Sequence, residues 1–288
     1  MSDDIYYKLR EHLNTMPAGF PETESGAEIK ILKKFFTPFE AEIALHVKGK
    51  PEKAEIIAER TGINKEEAAS LIESMAKKGN LFRIVTPSGP RYMLPNFIMG
   101  MYEWHVNSVD RETAEYADDI YDALADKHWT DKETKQFRIV PVNKAVDGRS
   151  HVKSYDKILE LVKDKTPYAV APCICRIEQK EKGNKISRPL ETCLTFGTAA
   201  LYYIQNGIGK ELTEEELVQK LQECEEANLV PLSTNARDIV NMCMCDRESC
   251  QFMRYLRKFD KPALQVHASF FATIDTGTCI GCGKCTKK

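Results

Sequence analysis

Two stretches decide the fold: Tyr168-Ala169-Val170-Ala171-Pro172-Cys173-Ile174-Cys175-Arg176 and Ile239-Val240-Asn241-Met242-Cys243-Met244-Cys245. Each is a short apolar run ending in a C-x-C pair, so each reads as a strand that delivers two thiols. If the two strands are neighbours, Cys173, Cys175, Cys243 and Cys245 converge. Between them, Pro189-Leu190-Glu191-Thr192-Cys193 reads as the lead into a helix through Tyr203, with Cys193 at its start. Thr213-Glu214-Glu215-Glu216 is a capping box whose helix runs to about Ala227. Cys250 is expected on or just before a helix ending near Phe259. Residues 166–260 thus read as a central α/β cysteine domain.

None of the ten cysteines precedes Cys173. The chain opens Met1-Ser2-Asp3-Asp4, without the basic and apolar regions of a secretory signal, so a cytoplasmic location is expected. Clustered cysteines in that setting point to metal rather than disulfides. Four thiolates suit a 4Fe-4S cluster or tetrahedral zinc. A C-x-C pair does not easily span a zinc knuckle of C-x(2–4)-C spacing, which favours iron–sulfur. One such centre leaves two of the six central thiols spare, and Cys193 and Cys250 are both candidate ligands. Cys224, inside the acidic helix Gln222-Glu223-Cys224-Glu225-Glu226, reads as inert. Met242 and Met244 read as core methionines, or as an apolar wall of the centre. Arg176 reads either as a donor to cluster sulfurs that sets positive charge beside an anionic cluster, or as a surface partner of Glu178.

Further along, Cys279-Ile280-Gly281-Cys282-Gly283-Lys284-Cys285 supplies the first three ligands of a ferredoxin-type C-x-x-C-x-x-C-x-x-x-C-P run. The glycines let the backbone wrap closely around a cluster. The fourth cysteine would fall one residue after Lys288, so residues 261–288 are expected to be the start of a truncated ferredoxin-like module, with Val266 to Ile274 as a strand. A fourth ligand from a partner or from the central domain, or a three-thiolate zinc or three-iron centre, are the other readings.

Towards the N-terminus, residues 27–100 predict three helices and a hairpin. The helices are Thr37 to Val47, Lys53 to Thr61, and Asn64 to Lys78. The hairpin strands are Leu81 to Val85 and Arg91 to Leu94, and the whole reads as a winged helix-turn-helix. Its third helix balances Lys65, Lys77 and Lys78 against Glu66, Glu67 and Glu73. That face suits protein docking or dimerisation better than phosphate. Residues 1–26 read as a docking arm or frayed terminus. Residues 101–165 read as a helical connector without a chemical motif, with Arg111 to Ala125 burying Tyr116, Ile120, Tyr121 and Leu124, a strand at Phe137 to Val142, and a helix at Ser154 to Val162. The expected class is helix-rich α+β.

The 288 residues carry a net charge of −2 with 42% hydrophobic and 29% charged residues, an ordinary globular balance that binds no nucleic acid by charge alone. The longest apolar run, Cys193 to Ile204, is far short of a membrane span. The histidines share no ligand spacing, and no nucleophile elbow or phosphate-binding loop is present.

Taken together, Ala171-Pro172-Cys173-Ile174-Cys175-Arg176, Arg188-Pro189-Leu190-Glu191-Thr192-Cys193-Leu194-Thr195-Phe196-Gly197, Cys243-x-Cys245 and the terminal run resemble a family of anaerobe 4Fe-4S-binding ferredoxin-like proteins with an N-terminal winged-helix region. The resemblance implies iron–sulfur binding and electron transfer to a redox partner protein, as a carrier or an oxidoreductase subunit rather than a stand-alone enzyme. Ile186-Ser187 and Asp246-Arg247-Glu248-Ser249 stand where that family often carries further cysteines, which leaves one central four-thiolate site. Two other functions are weighed: a redox-sensing winged-helix regulator and a zinc-stabilised interaction protein.

Overall fold

The computed structural model describes residues 3–130, 133–140, 158, 162–236, 238–267 and 273–286. Helix α1 (Asp4–Asn14) buries Ile5, Leu9 and Leu13, spaced four apart on one face, and packs on the third helix of the chain. The N-terminal segment is therefore part of the main core, not a frayed end. Helix α2 (Ala27–Phe35) is an addition to the three expected helices, burying Ile31, Leu32 and Phe35. Helix α3 (Pro38–Leu45) starts at a reciprocal capping box between Thr37 and Glu40, with proline in its first turn. Helix α4 (Ala54–Thr61) ends at Gly62 in the left-handed region, and α5 (Lys65–Lys78) is capped by Asn64. Strands β1 (Phe82–Thr86) and β2 (Gly89–Met93) form the antiparallel hairpin the pattern predicts.

Helix α6 (Arg111–Leu124) begins at Asp110, whose carboxylate accepts the Thr113 amide. It buries Ile120, Tyr121 and Leu124, whereas Tyr116 stays half-buried beneath Lys30 and Lys34. The expected strand over 137–142 is observed as β3 (Phe137–Ile139). The expected helix over 154–162 lies outside the described residues apart from Ile158 and Val162.

The remaining elements are β4 (Tyr168–Pro172), α7 (Ile174–Glu181), β5 (Glu191–Phe196), α8 (Thr198–Gln205), β6 (Lys210–Leu212), α9 (Glu214–Glu226), β7 (Val230–Thr234), β8 (Asn241–Cys245) and α10 (Gln251–Leu256). The sheet order is β3-β7-β8-β5-β4-β6, and every neighbouring pair is antiparallel. The chain is α+β, and the central region is an antiparallel layer rather than the expected α/β arrangement. The helix expected from Cys193 is also corrected. Thr192, Thr195 and Phe196 suit a pleated strand, and Gly197 at φ +59° turns the chain before α8 begins.

Pleat alternation sorts the two faces of this sheet. Leu194, Phe196, Met242 and Met244 join one core with Leu217, Leu221 and Cys224 of α9. Cys193, Cys243 and Cys245 lie on the other side, against the core built by α1 to α6. The two halves are locked by Tyr202 of α8, whose buried hydroxyl lies 2.6 Å from the Ala76 carbonyl and 2.9 Å from that of Leu81. Arg83 adds hydrogen bonds to Gln205 and Asn206. No helix among the described residues is long and apolar enough to cross a membrane.

Candidate metal centre

Strand β4 ends at Pro172 and hands the chain to Cys173, which caps α7 and accepts the Arg176 and Ile177 amides on its carbonyl. Cys175 follows in the first turn of that helix. Cys193 and Cys243 are direct cross-strand partners on β5 and β8, and Cys245 ends β8. Asp246 then folds the loop: one carboxylate oxygen accepts the Glu248 and Ser249 amides, and its carbonyl accepts the Cys250 amide. That turn brings Cys250, the cap of α10, back beside Cys245.

All six central thiols line one cavity of about 50 Å³. A single water needs ~10–15 Å³ on this measure, so the space exceeds that of one small ion. Cys173 lies beside Cys175, Cys175 beside Cys250, Cys250 beside Cys245, and Cys245 beside Cys243, each near enough to shift its neighbour's proton affinity. Cys193 faces Cys243 and Cys173 but shares its hydrogen bond with the Tyr203 hydroxyl. Among the described residues, no group of three or more His, Cys, Asp or Glu side chains is already arranged around a point where an ion would sit. The thiols instead touch one another in sequence.

Arg176 is fully buried in the cavity wall. Its Nε donates to Asp246 at 2.9 Å, one terminal nitrogen donates to the Thr192 hydroxyl, and the other donates to the Met244 carbonyl at 2.9 Å. Burial opposes its charge, yet Cys173, Asp246 and Cys245 together keep it firmly protonated. This corrects the alternative of a surface pair with Glu178. Glu178 is itself buried, accepting from Tyr102 at 2.6 Å and from Gln251 at 3.0 Å.

The thiols differ by surroundings. Hydrogen bonding from Cys175, aided by Arg176, holds the Cys173 thiol below its ordinary value against burial. Cys175 and Cys245 hold Cys250 lower still. Cys193 is pushed up, first by burial and then by Cys243. Cys224 lies in the opposite core, its thiol raised to about 12 chiefly by burial. Met242 also packs there and forms no wall of the thiol cavity.

The connector contributes chemistry that its sequence pattern did not announce. Ile98, Met99, Glu103 and Tyr121 complete the cavity wall. Burial lifts the Glu103 carboxyl to about 7, although the Gly100 amide donates to it at 2.8 Å. Burial likewise lifts Glu178 to about 8. A second cavity of about 390 Å³ shares Met99, Glu103, Cys193 and Cys243 with the first.

No family model, curated protein or solved structure matches the chain.

Cys279, Cys282 and Cys285 are exposed and line neither cavity. Gly281 and Gly283 both take φ +67°, a left-handed backbone that allows the tight wrap expected of this run. Asp275 opens it, accepting the Gly277 amide and, on its carbonyl, the Cys279 amide. Of the strand expected over 266–274, His267 bridges Arg138 of β3, and residues 268–272 lie outside the described residues.

Proposed function

We propose that this protein binds a 4Fe-4S cluster in the six-thiol cavity and acts as an electron carrier or as the electron-transfer subunit of an oxidoreductase. One observation carries the reading: six thiols from β5, β8 and the starts of α7 and α10 share one cavity with a fully buried arginine. Cys173, Cys175, Cys250 and Cys245 are consecutive in the thiol chain, with Cys173 and Cys245 beside Arg176, and they are the four ligands assigned. When bound, the cluster supplies one-electron transfer. Thiolate-ligated iron–sulfur is anionic, and Arg176 sets a fixed positive charge beside two of the four sulfurs. Asp246, Thr192 and the Met244 carbonyl hold that charge in place. Ile98, Phe137, Leu232 and Phe252 give the cavity apolar wall, which lowers the solvent exposure of a bound cluster and so tunes its potential.

Helices α3 to α5 with the β1–β2 hairpin serve, on this reading, as a winged helix used for docking a redox partner or a second copy. Its glutamates at the start of α5 disfavour DNA, and the exposed Phe39, Ile56 and Val85 offer apolar contact instead. The terminal run begins a second, ferredoxin-type cluster module. Zinc at the central site is the competing reading.

Anaerobic reconstitution of the full chain with iron and sulfide tests this. A brown chromophore that dithionite bleaches, lost in Cys173→Ser and in Cys245→Ser but kept in Cys224→Ser, is the expected result. Colourless protein with stoichiometric zinc would contradict it.

A further inference from the structure

We propose that Cys193 and Cys243 form a redox-active dithiol that exchanges with a small disulfide held in the neighbouring 390 Å³ cavity. The inference rests on the cluster reading only for the use of the other four thiols. These two residues are direct partners across β5 and β8. The Phe196 amide donates to the Val240 carbonyl at 2.9 Å, which makes 196 and 240 a hydrogen-bonded pair. Alternation along the ladder then makes Cys193 and Cys243 a non-hydrogen-bonded pair, whose Cα atoms lie ~4.5 Å apart. That spacing falls within the ~4.4–6.8 Å a disulfide spans, and opposed residues share a face of the sheet.

Of the six central thiols, these two alone also line the larger cavity. Its volume falls in the ~300–1,000 Å³ range of small-molecule sites. Phe82, Trp104 and Tyr203 supply apolar wall. Thr195, two residues along β5 and on the same face as Cys193, brings a buried hydroxyl with no protein hydrogen-bond partner. A ligand's polar end can satisfy it.

In the exchange, one thiolate attacks a sulfur of the small disulfide, whose S–S bond breaks, and the departing sulfur takes a proton. The second cysteine attacks the mixed disulfide. The Cys193–Cys243 bond forms and the second small thiol leaves with the other proton. Two protein thiols are oxidised and one small disulfide is reduced to two thiols.

The test treats the anaerobically reconstituted full chain with hydroxyethyl disulfide, alkylates free thiols, and maps linkages by peptide mass. Iron is measured in parallel for wild type, Cys193→Ser, Cys243→Ser and Cys173→Ser. The expected result is loss of two alkylatable thiols, a 193–243 linkage, and wild-type iron in both pair variants but not in Cys173→Ser. Iron loss in either pair variant matching that of Cys173→Ser would make the pair cluster ligands and overturn the inference. So would an iron-loaded wild type without the linkage, a result that needs no variant to fold. A linkage in wild type that takes up no iron would support the dithiol and overturn the cluster reading alone.

Discussion

The two sets of cysteines are built in opposite ways. The central thiols come from segments as far apart as residues 173 and 250; the two C-x-C strands, β4 and β8, are not direct neighbours, and β5 between them brings the thiols to one cavity. The terminal thiols sit within seven residues on exposed turns shaped by Asp275 and two left-handed glycines. One site is a product of tertiary structure and is coupled to global stability. The other is a local motif that asks little of the rest of the chain.

The largest expected effect tests that coupling. Arg176→Met leaves the Asp246 carboxylate buried without its partner, which should cost about 3–5 kcal/mol in urea unfolding of the metal-free protein. Lys284→Met, exposed within the terminal run, should change stability by less than ~0.5 kcal/mol. Equal effects would erase the contrast.

Next in size is pH dependence. Glu178 and Glu103 hold their protons in the folded state up to about 8 and about 7, whereas unfolded glutamate releases its proton near 4.5. The folded state then binds more protons across that window, so stability of the metal-free protein should fall as pH rises from 4.5 and level off above about 8. Glu178→Gln should flatten most of the slope. Asp275 acts in the opposite sense: the Gly277 amide and the Thr278 hydroxyl hold it below 3.8, so its contribution is lost as pH falls. A stability curve that rises between pH 4.5 and 8 would contradict the burial of the two glutamates.

The smallest effect concerns the contact between the helical half and the sheet. Tyr202→Phe removes a buried donor to the Ala76 and Leu81 carbonyls and should cost ~1 kcal/mol by the same urea assay. No change would mean that α8 does not anchor α5.

What was legible in the sequence follows the same division. Local signals survived: the capping boxes at Thr37 and Thr213, the β1–β2 hairpin, and the strands that deliver both C-x-C pairs. Long-range facts did not. Cys193 lies in a strand because β4 and β8 flank it, and no local pattern announces that pairing. Arg176 finds Asp246 seventy positions away, so its nearer neighbour Glu178 was the natural but incorrect partner. Asp246 itself carried a readable sign, an Asp followed three residues on by Ser249 in a tight loop after Cys245. Glu103 and Glu178 owe their raised proton affinity to burial, which only the packed structure reveals.

The most direct test of the central claim removes the local motif and counts what remains. In the Cys279→Ser/Cys282→Ser/Cys285→Ser triple variant, reconstituted without oxygen, the account predicts about four irons and four sulfides per chain, with an EPR signal on reduction. A triple variant that holds only zinc, or neither iron nor sulfide, would contradict it.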